Sequence, residues 1–163
     1  MIMKMNRGIL RIKLLVAVLF ATTLCNAQVK ISTSQLNGTE WEEVSFCADG
    51  KIYTPHNIDT YKFNMSSYSR SFYSSSLKRT ICAQFPFYIT NDEPSYTYFD
   101  RSKVGVNATG KYIVKYNEKV HEVDYYTIMS FNSDEMVLFH KAQENSTPGL
   151  DVYLTLKRVN KNE

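Results

Sequence analysis

The sequence predicts an all-β protein: a single antiparallel up-and-down barrel of about eight to nine strands, preceded by a cleaved export signal. Three observations carry that expectation. Short runs alternate apolar and polar residues with a period of two, turn residues separate consecutive runs, and aromatic residues crowd the alternating segments. All twelve tyrosines and eight of the nine phenylalanines fall within residues 28–163. No amphipathic helical repeat interrupts them.

The export signal comes first. Lys4, Arg7, Arg11 and Lys13 form a basic start, and Leu14 to Leu24 is an apolar run of eleven residues. Cys25-Asn26-Ala27 then sets small residues at the third and first positions before a cut ahead of Gln28. Eleven residues are too few for a hydrocarbon core, which takes about 17–25, so no membrane span is expected. Cys25 offers a rival reading, a lipidated cysteine, which Leu24 argues against because it is too large for the preceding position. The expected organisation is a signal peptide at 1–27, a leader at 28–38, a barrel at 39–160 and a tail at 161–163.

Cleavage changes the charge. Four of the 19 Lys and Arg residues lie in the signal and none of the 16 Asp and Glu, so residues 28–163 hold 15 basic and 16 acidic side chains, net −1. The basic character belongs largely to the signal and gives no argument for nucleic acid. The remaining 136 residues are enough for one domain with a real core.

The strands follow in order. Trp41 to Cys47 is the first. Tyr61, Phe63 and Met65 alternate with Lys62 and Asn64, and Ser67 to Tyr73 is a serine-rich second member of that pair. Ile81, Ala83, Phe85, Phe87 and Ile89 form one face of a strand over Thr80 to Ile89. A turn at Asn91-Asp92-Glu93-Pro94 leads to Tyr96 to Phe99. Tyr112, Val114 and Tyr116 oppose Lys111, Ile113 and Lys115. Glu122 to Phe131 turns through Asn132-Ser133-Asp134 into Glu135 to Lys141. After Pro148-Gly149, Val152, Leu154 and Leu156 alternate with polar neighbours. Consecutive strands joined by turns make a meander, which removes its exposed edges by closing.

The last third, from Gly110-Lys111-Tyr112-Ile113-Val114 through Asp134-Glu135-Met136-Val137-Leu138 to Leu156-Lys157-Arg158-Val159, resembles the lipocalin-like domains of secreted proteins from Bacteroidota. Phe87-Tyr88-Ile89, Phe99-Asp100 and Lys103-Val104-Gly105 are similar to a subgroup of them without assigned function. The Ala27-Gln28 junction is similar to export signals of the same bacteria. The resemblance implies a small barrel in the periplasm or outside the cell, and says almost nothing about chemistry. The lone Trp41 suits it, since such barrels carry Gly-x-Trp on the first strand. Here the motif is one residue longer, Gly38-Thr39-Glu40-Trp41. Strict alternation then sets Trp41 opposite Val44 and Phe46, and a bulge at Glu42-Glu43 would return it to the core. Trp41 is expected to be a buried structural residue at one end of the barrel.

After cleavage Cys47 and Cys82 remain, both expected to point outward. A bridge between them would close about 35 residues and stabilise by roughly 4 kcal/mol. The alternative is two thiols on strands too far apart, and both readings stay open.

Catalytic and metal patterns are missing. His56, His121 and His140 share no ligand spacing, no nucleophile elbow or glycine-rich phosphate loop occurs, and Asp92-Glu93 sits in a turn. The seven serines between Ser66 and Ser76 lack a positioned base. The sequons at Asn37, Asn64, Asn107 and Asn145 would mean glycans in a eukaryotic secretory chain, and in the bacterial reading are chance matches in an Asn- and Ser-rich sequence. No enzyme, cofactor or metal is expected.

Binding remains. The candidate interior residues are Tyr61, Phe63, Phe87, Tyr112, Val114, Tyr116, Tyr125 and Met129, which would suit a small hydrophobic or amphipathic ligand. Side chains can equally fill an eight-stranded barrel. The alternative function is then a non-catalytic interaction module, a secreted inhibitor or cell-surface accessory subunit, using the loops at Asp92 to Lys103 and Gln143 to Leu150. A carboxylate or histidine converging with a hydroxyl in a cleft would reopen the enzymatic reading.

Overall fold

The computed structural model describes residues 29–142 and 150–159. The expected signal peptide, the tail and the segment 143–149 lie outside the described residues. The chain runs β1 (Ile31–Ser32), α1 (Thr33–Leu36), β2 (Glu40–Ala48), β3 (Lys51–Tyr53), β4 (Thr60–Phe63), β5 (Ser67–Ser74), β6 (Arg79–Thr90), β7 (Thr109–Gly110), β8 (Tyr112–Asn117), β9 (Glu122–Phe131), β10 (Glu135–His140) and β11 (Val152–Arg158). A 3-10 turn at Arg101–Lys103 interrupts the long connection between β6 and β7.

Eight antiparallel strands in the order β11-β10-β9-β8-β6-β5-β4-β2 close into a barrel through pairing of β11 with β2. Closure leaves no open edge among those eight strands. β3 attaches to β2 beyond the stretch that β4 occupies, pairing at Phe46 to Ala48 while β4 pairs at Glu40 to Glu42. The β2–β3 hairpin turns through Asp49-Gly50, both at positive φ, the arrangement that matches the twist of two-residue hairpins. The alternation reading overlooked β3. It also placed a strand at Tyr96 to Phe99, which instead crosses the outside of the barrel as irregular backbone.

One end of the barrel is filled. Ser32 caps α1 through a capping box with Gln35, which fixes this short helix where the chain enters the fold. Ile31 and Leu36 join Trp41, Phe87, Ile113 and Met136 in one buried cluster. β1 and β7 pair beside it, and Gly110 passes so close to the Thr90 carbonyl that a Cβ would lie 2.1 Å from its oxygen. Only glycine permits that approach.

Trp41 is fully buried, its indole nitrogen donating to Thr39 Oγ1 at 2.8 Å. The bulge that permits this lies at Val44, later than the expected Glu42-Glu43. Ser45 pairs with Thr155 and Glu43 with Leu156, so Val44 has no opposite number. The extra residue flips the alternation, and Trp41 and Glu43 share the inner wall with Phe46.

A second apolar cluster lies outside the barrel. Tyr88, Tyr112, Val114, Val123 and Tyr125 pack under Tyr96, Phe99 and Val104 from the β6–β7 connection. Phe99 rings lie 5.2 Å from both Tyr88 and Tyr116. β8 is therefore apolar on both faces, one turned to the core and one to this covering segment.

That double-sided burial corrects the interior assignment. Tyr61, Phe63 and Phe87 point inward as expected. Tyr112, Val114, Tyr116 and Tyr125 belong to the outer cluster, and Met129 is 44% exposed. Ile113, Tyr126 and Ile128 hold the core in their place. The cysteines are both free. Two strands, β5 and β4, separate β6 from β2, so Cys82 and Cys47 stand roughly 14 Å apart around the wall at about 4.8 Å per strand. A disulfide spans at most about 7 Å between Cα atoms.

Candidate functional site

The opposite end of the barrel is not filled. A cavity of about 350 Å³ is lined by Glu43, Phe46, Tyr61, Arg70, Lys115, Asp124, Tyr126, His140, Val152 and Leu154. The strand registers explain the grouping. Arg70 is paired with Tyr61, and Lys115 with Asp124, so each pair shares the inner face. Leu154 is paired with Phe46 and Val152 with His140 on the other side. The result is a cavity with one polar wall from β5, β8 and β9 and one largely apolar wall from β2 and β11.

The polar wall is a closed network. Lys115 Nζ lies 2.8 Å from Asp124 Oδ2 and donates to the Tyr126 hydroxyl at 3.0 Å. His140 Nε2 lies 2.7 Å from Asp124 Oδ1. Arg70 Nε donates to Asp59 at 2.8 Å, from the loop before β4. Burial alone would raise the Asp124 carboxyl, but His140 and Lys115 outweigh it and hold it at about 2. Burial would likewise lower Lys115, and Tyr126, Tyr68 and Asp124 around it hold it above its ordinary value.

Glu43 stands apart. It is 7% exposed and accepts from the Tyr61 hydroxyl at 3.0 Å. Burial pushes it above the usual carboxylate range, against the pull of that hydrogen bond. Among the described residues no ion pair reaches it. The Tyr61 hydroxyl is correspondingly raised, by burial first.

A carboxylate, a histidine and tyrosyl hydroxyls do converge here, the arrangement that bears on an enzymatic reading. Their hydrogen bonds run to one another, and among the described residues the cavity wall carries no serine, threonine or cysteine nucleophile. Among the described residues no three His, Cys, Asp or Glu side chains gather as a metal site.

Of the eight expected interior residues, only Tyr61 reaches the cavity; Phe63 and Phe87 lie in the filled half. Sequence reasoning missed the charged lining. Its signal was present, because Lys115 has the parity of Ile113, Asp124 that of Tyr126 and Ile128, and His140 that of Met136 and Leu138. A charge continuing an apolar face toward a strand end marks a polar cavity wall.

No protein-family model and no curated protein matches the sequence. Solved structures align with its fold. A lipocalin-like protein from Bacteroides uniformis aligns with 76% of this chain and 98% of its own, at 9% identity and a TM-score of 0.49. An uncharacterized protein from Bacteroides eggerthii aligns with 76% and 99%, at 10% identity and a TM-score of 0.47. The fold is an all-β closed barrel, and the structures similar to it include a lipocalin-like protein of Bacteroides.

Proposed function

We propose that this protein is a secreted or periplasmic binding protein that holds a small amphipathic molecule in the barrel cavity. The cavity's two unlike walls carry this reading. Its volume of about 350 Å³ lies at the small end of ligand sites. A molecule with an apolar edge against Phe46, Val152 and Leu154 and a polar edge toward Arg70, Lys115 and Asp124 fits both walls. Native mass spectrometry of the protein exported from its own host tests this. The expected result is a small-molecule adduct that is lost in Leu154→Trp, a change that fills the cavity. No adduct, together with no binding of a neutral aromatic probe such as 1-aminoanthracene, would refute it.

A second reading, a protein-interaction surface, draws on the rim. Ile52, Ile58, Leu77 and Val120 are each more than half exposed and sit on or beside separate connections at the open end. Co-purification of a stoichiometric protein in the same experiment, with an empty cavity, favours this reading over the first.

A further inference from the structure

The charges around the cavity do not balance, and the residue left over says what the ligand carries. This step rests on the binding reading above. Three carboxylates, Glu43, Asp59 and Asp124, serve the cavity and its support, against two permanent cations, Arg70 and Lys115. Asp59 is matched by Arg70 and Asp124 by Lys115. His140 also leans on Asp124, leaving Glu43 with the Tyr61 hydroxyl as its polar side-chain contact.

We propose that Glu43 is the acceptor for a protonated amine, and that the ligand is a small primary ammonium bearing an apolar tail. A buried carboxylate without a cation is costly, and an incoming ammonium removes that cost by forming a charge-assisted hydrogen bond. The raised pKa of Glu43 fits an acid in that position. Arg70 offsets the burial only in part, because its guanidinium faces Asp59. An anionic ligand is disfavoured on the same grounds. It would have to part Arg70 from Asp59 or Lys115 from Asp124, and it would lie near Glu43. The tail has its place against Phe46, Val152 and Leu154, which line the cavity together with Glu43.

The experiment is calorimetric titration of the purified protein at neutral pH with three probes sharing one tail: hexylamine, 1-hexanol and hexanoate. Hexylamine is expected to bind about tenfold or more tightly than either of the others, the range of a charge-assisted contact. Glu43→Gln, which keeps the shape of the side chain, is expected to remove about that tenfold for hexylamine and leave 1-hexanol within about twofold. Hexanoate binding best, or all three binding alike, overturns the assignment of Glu43 while leaving the cavity a binding site. Binding of none overturns both. If Glu43→Gln does not fold, the ranking on the unaltered protein still decides.

Discussion

Asp124→Asn is the substitution that most directly probes the polar wall. The side chain keeps its size, but the charge that holds Lys115 and His140 disappears. In the folded protein the Asp124 carboxyl lies at about 2, nearly two units below its ordinary value. At about 1.36 kcal/mol per unit that is roughly 2.5 kcal/mol. Because the side chain is 20% exposed, about 2 kcal/mol is the better figure. Leaving Lys115 without its carboxylate adds to the loss, for an expected total of about 2–3 kcal/mol at pH 7. The pH dependence has a fixed sign. A carboxyl depressed in the folded state contributes its full stability above the unfolded value, about 3.9, and loses it as pH falls through about 2. Urea unfolding at pH 7, 4 and 2 should therefore show a gap between the two proteins that is present at pH 7 and 4 and narrows toward pH 2. A gap under about 0.5 kcal/mol at pH 7, or one that does not narrow in acid, would refute the role given to this carboxylate.

Other outcomes follow from the packing. Leu156→Ala, at a side chain with no exposure opposite Met136, should cost about 3 kcal/mol in urea unfolding, and a loss below about 1 would contradict its place in the core. Phe99→Ala should uncover Tyr88 and Tyr116, costing about 2 kcal/mol while leaving probe binding in the cavity unchanged; altered binding would mean the two apolar clusters are not independent. Trp41, the single tryptophan, should emit at short wavelength and resist iodide, whereas ready quenching would place it at the surface. In a chain beginning at Gln28, Cys47 and Cys82 should titrate as two thiols without reductant, and thiols appearing only after reduction would restore the bridge.

The barrel was legible because most of its strands bury one face. Phe63 and Leu156 could be assigned from alternation alone, since their neighbours are polar. Alternation failed where the outer face is buried too. On β8, Tyr112, Val114 and Tyr116 are as apolar as a core face because the β6–β7 connection covers them, and nothing local distinguishes the two sides. The charge on Lys115 then suggested solvent, although a charge with a partner is also stable on an inner wall. The partner, Asp124, comes from the next strand, so the pair exists only once the register is known. Trp41 was placed correctly because its area demanded burial, yet the bulge was misplaced. Its position depends on pairing with β11, more than a hundred residues later.

The bulge at Val44 also divides β2 into two reading frames. Before it, odd-numbered residues face inward, and after it even-numbered ones do. The frame change supplies the filled half with Trp41 and the open half with Phe46, and it sets Glu43 at the junction. Were Val44 drawn into the ladder with a partner of its own, strict alternation would exchange the inventories, sending Trp41 and Glu43 outward if Phe46 kept its place, or Phe46 outward if they kept theirs. One residue without an opposite number thus lets a single strand serve as plug at one end and binding wall at the other.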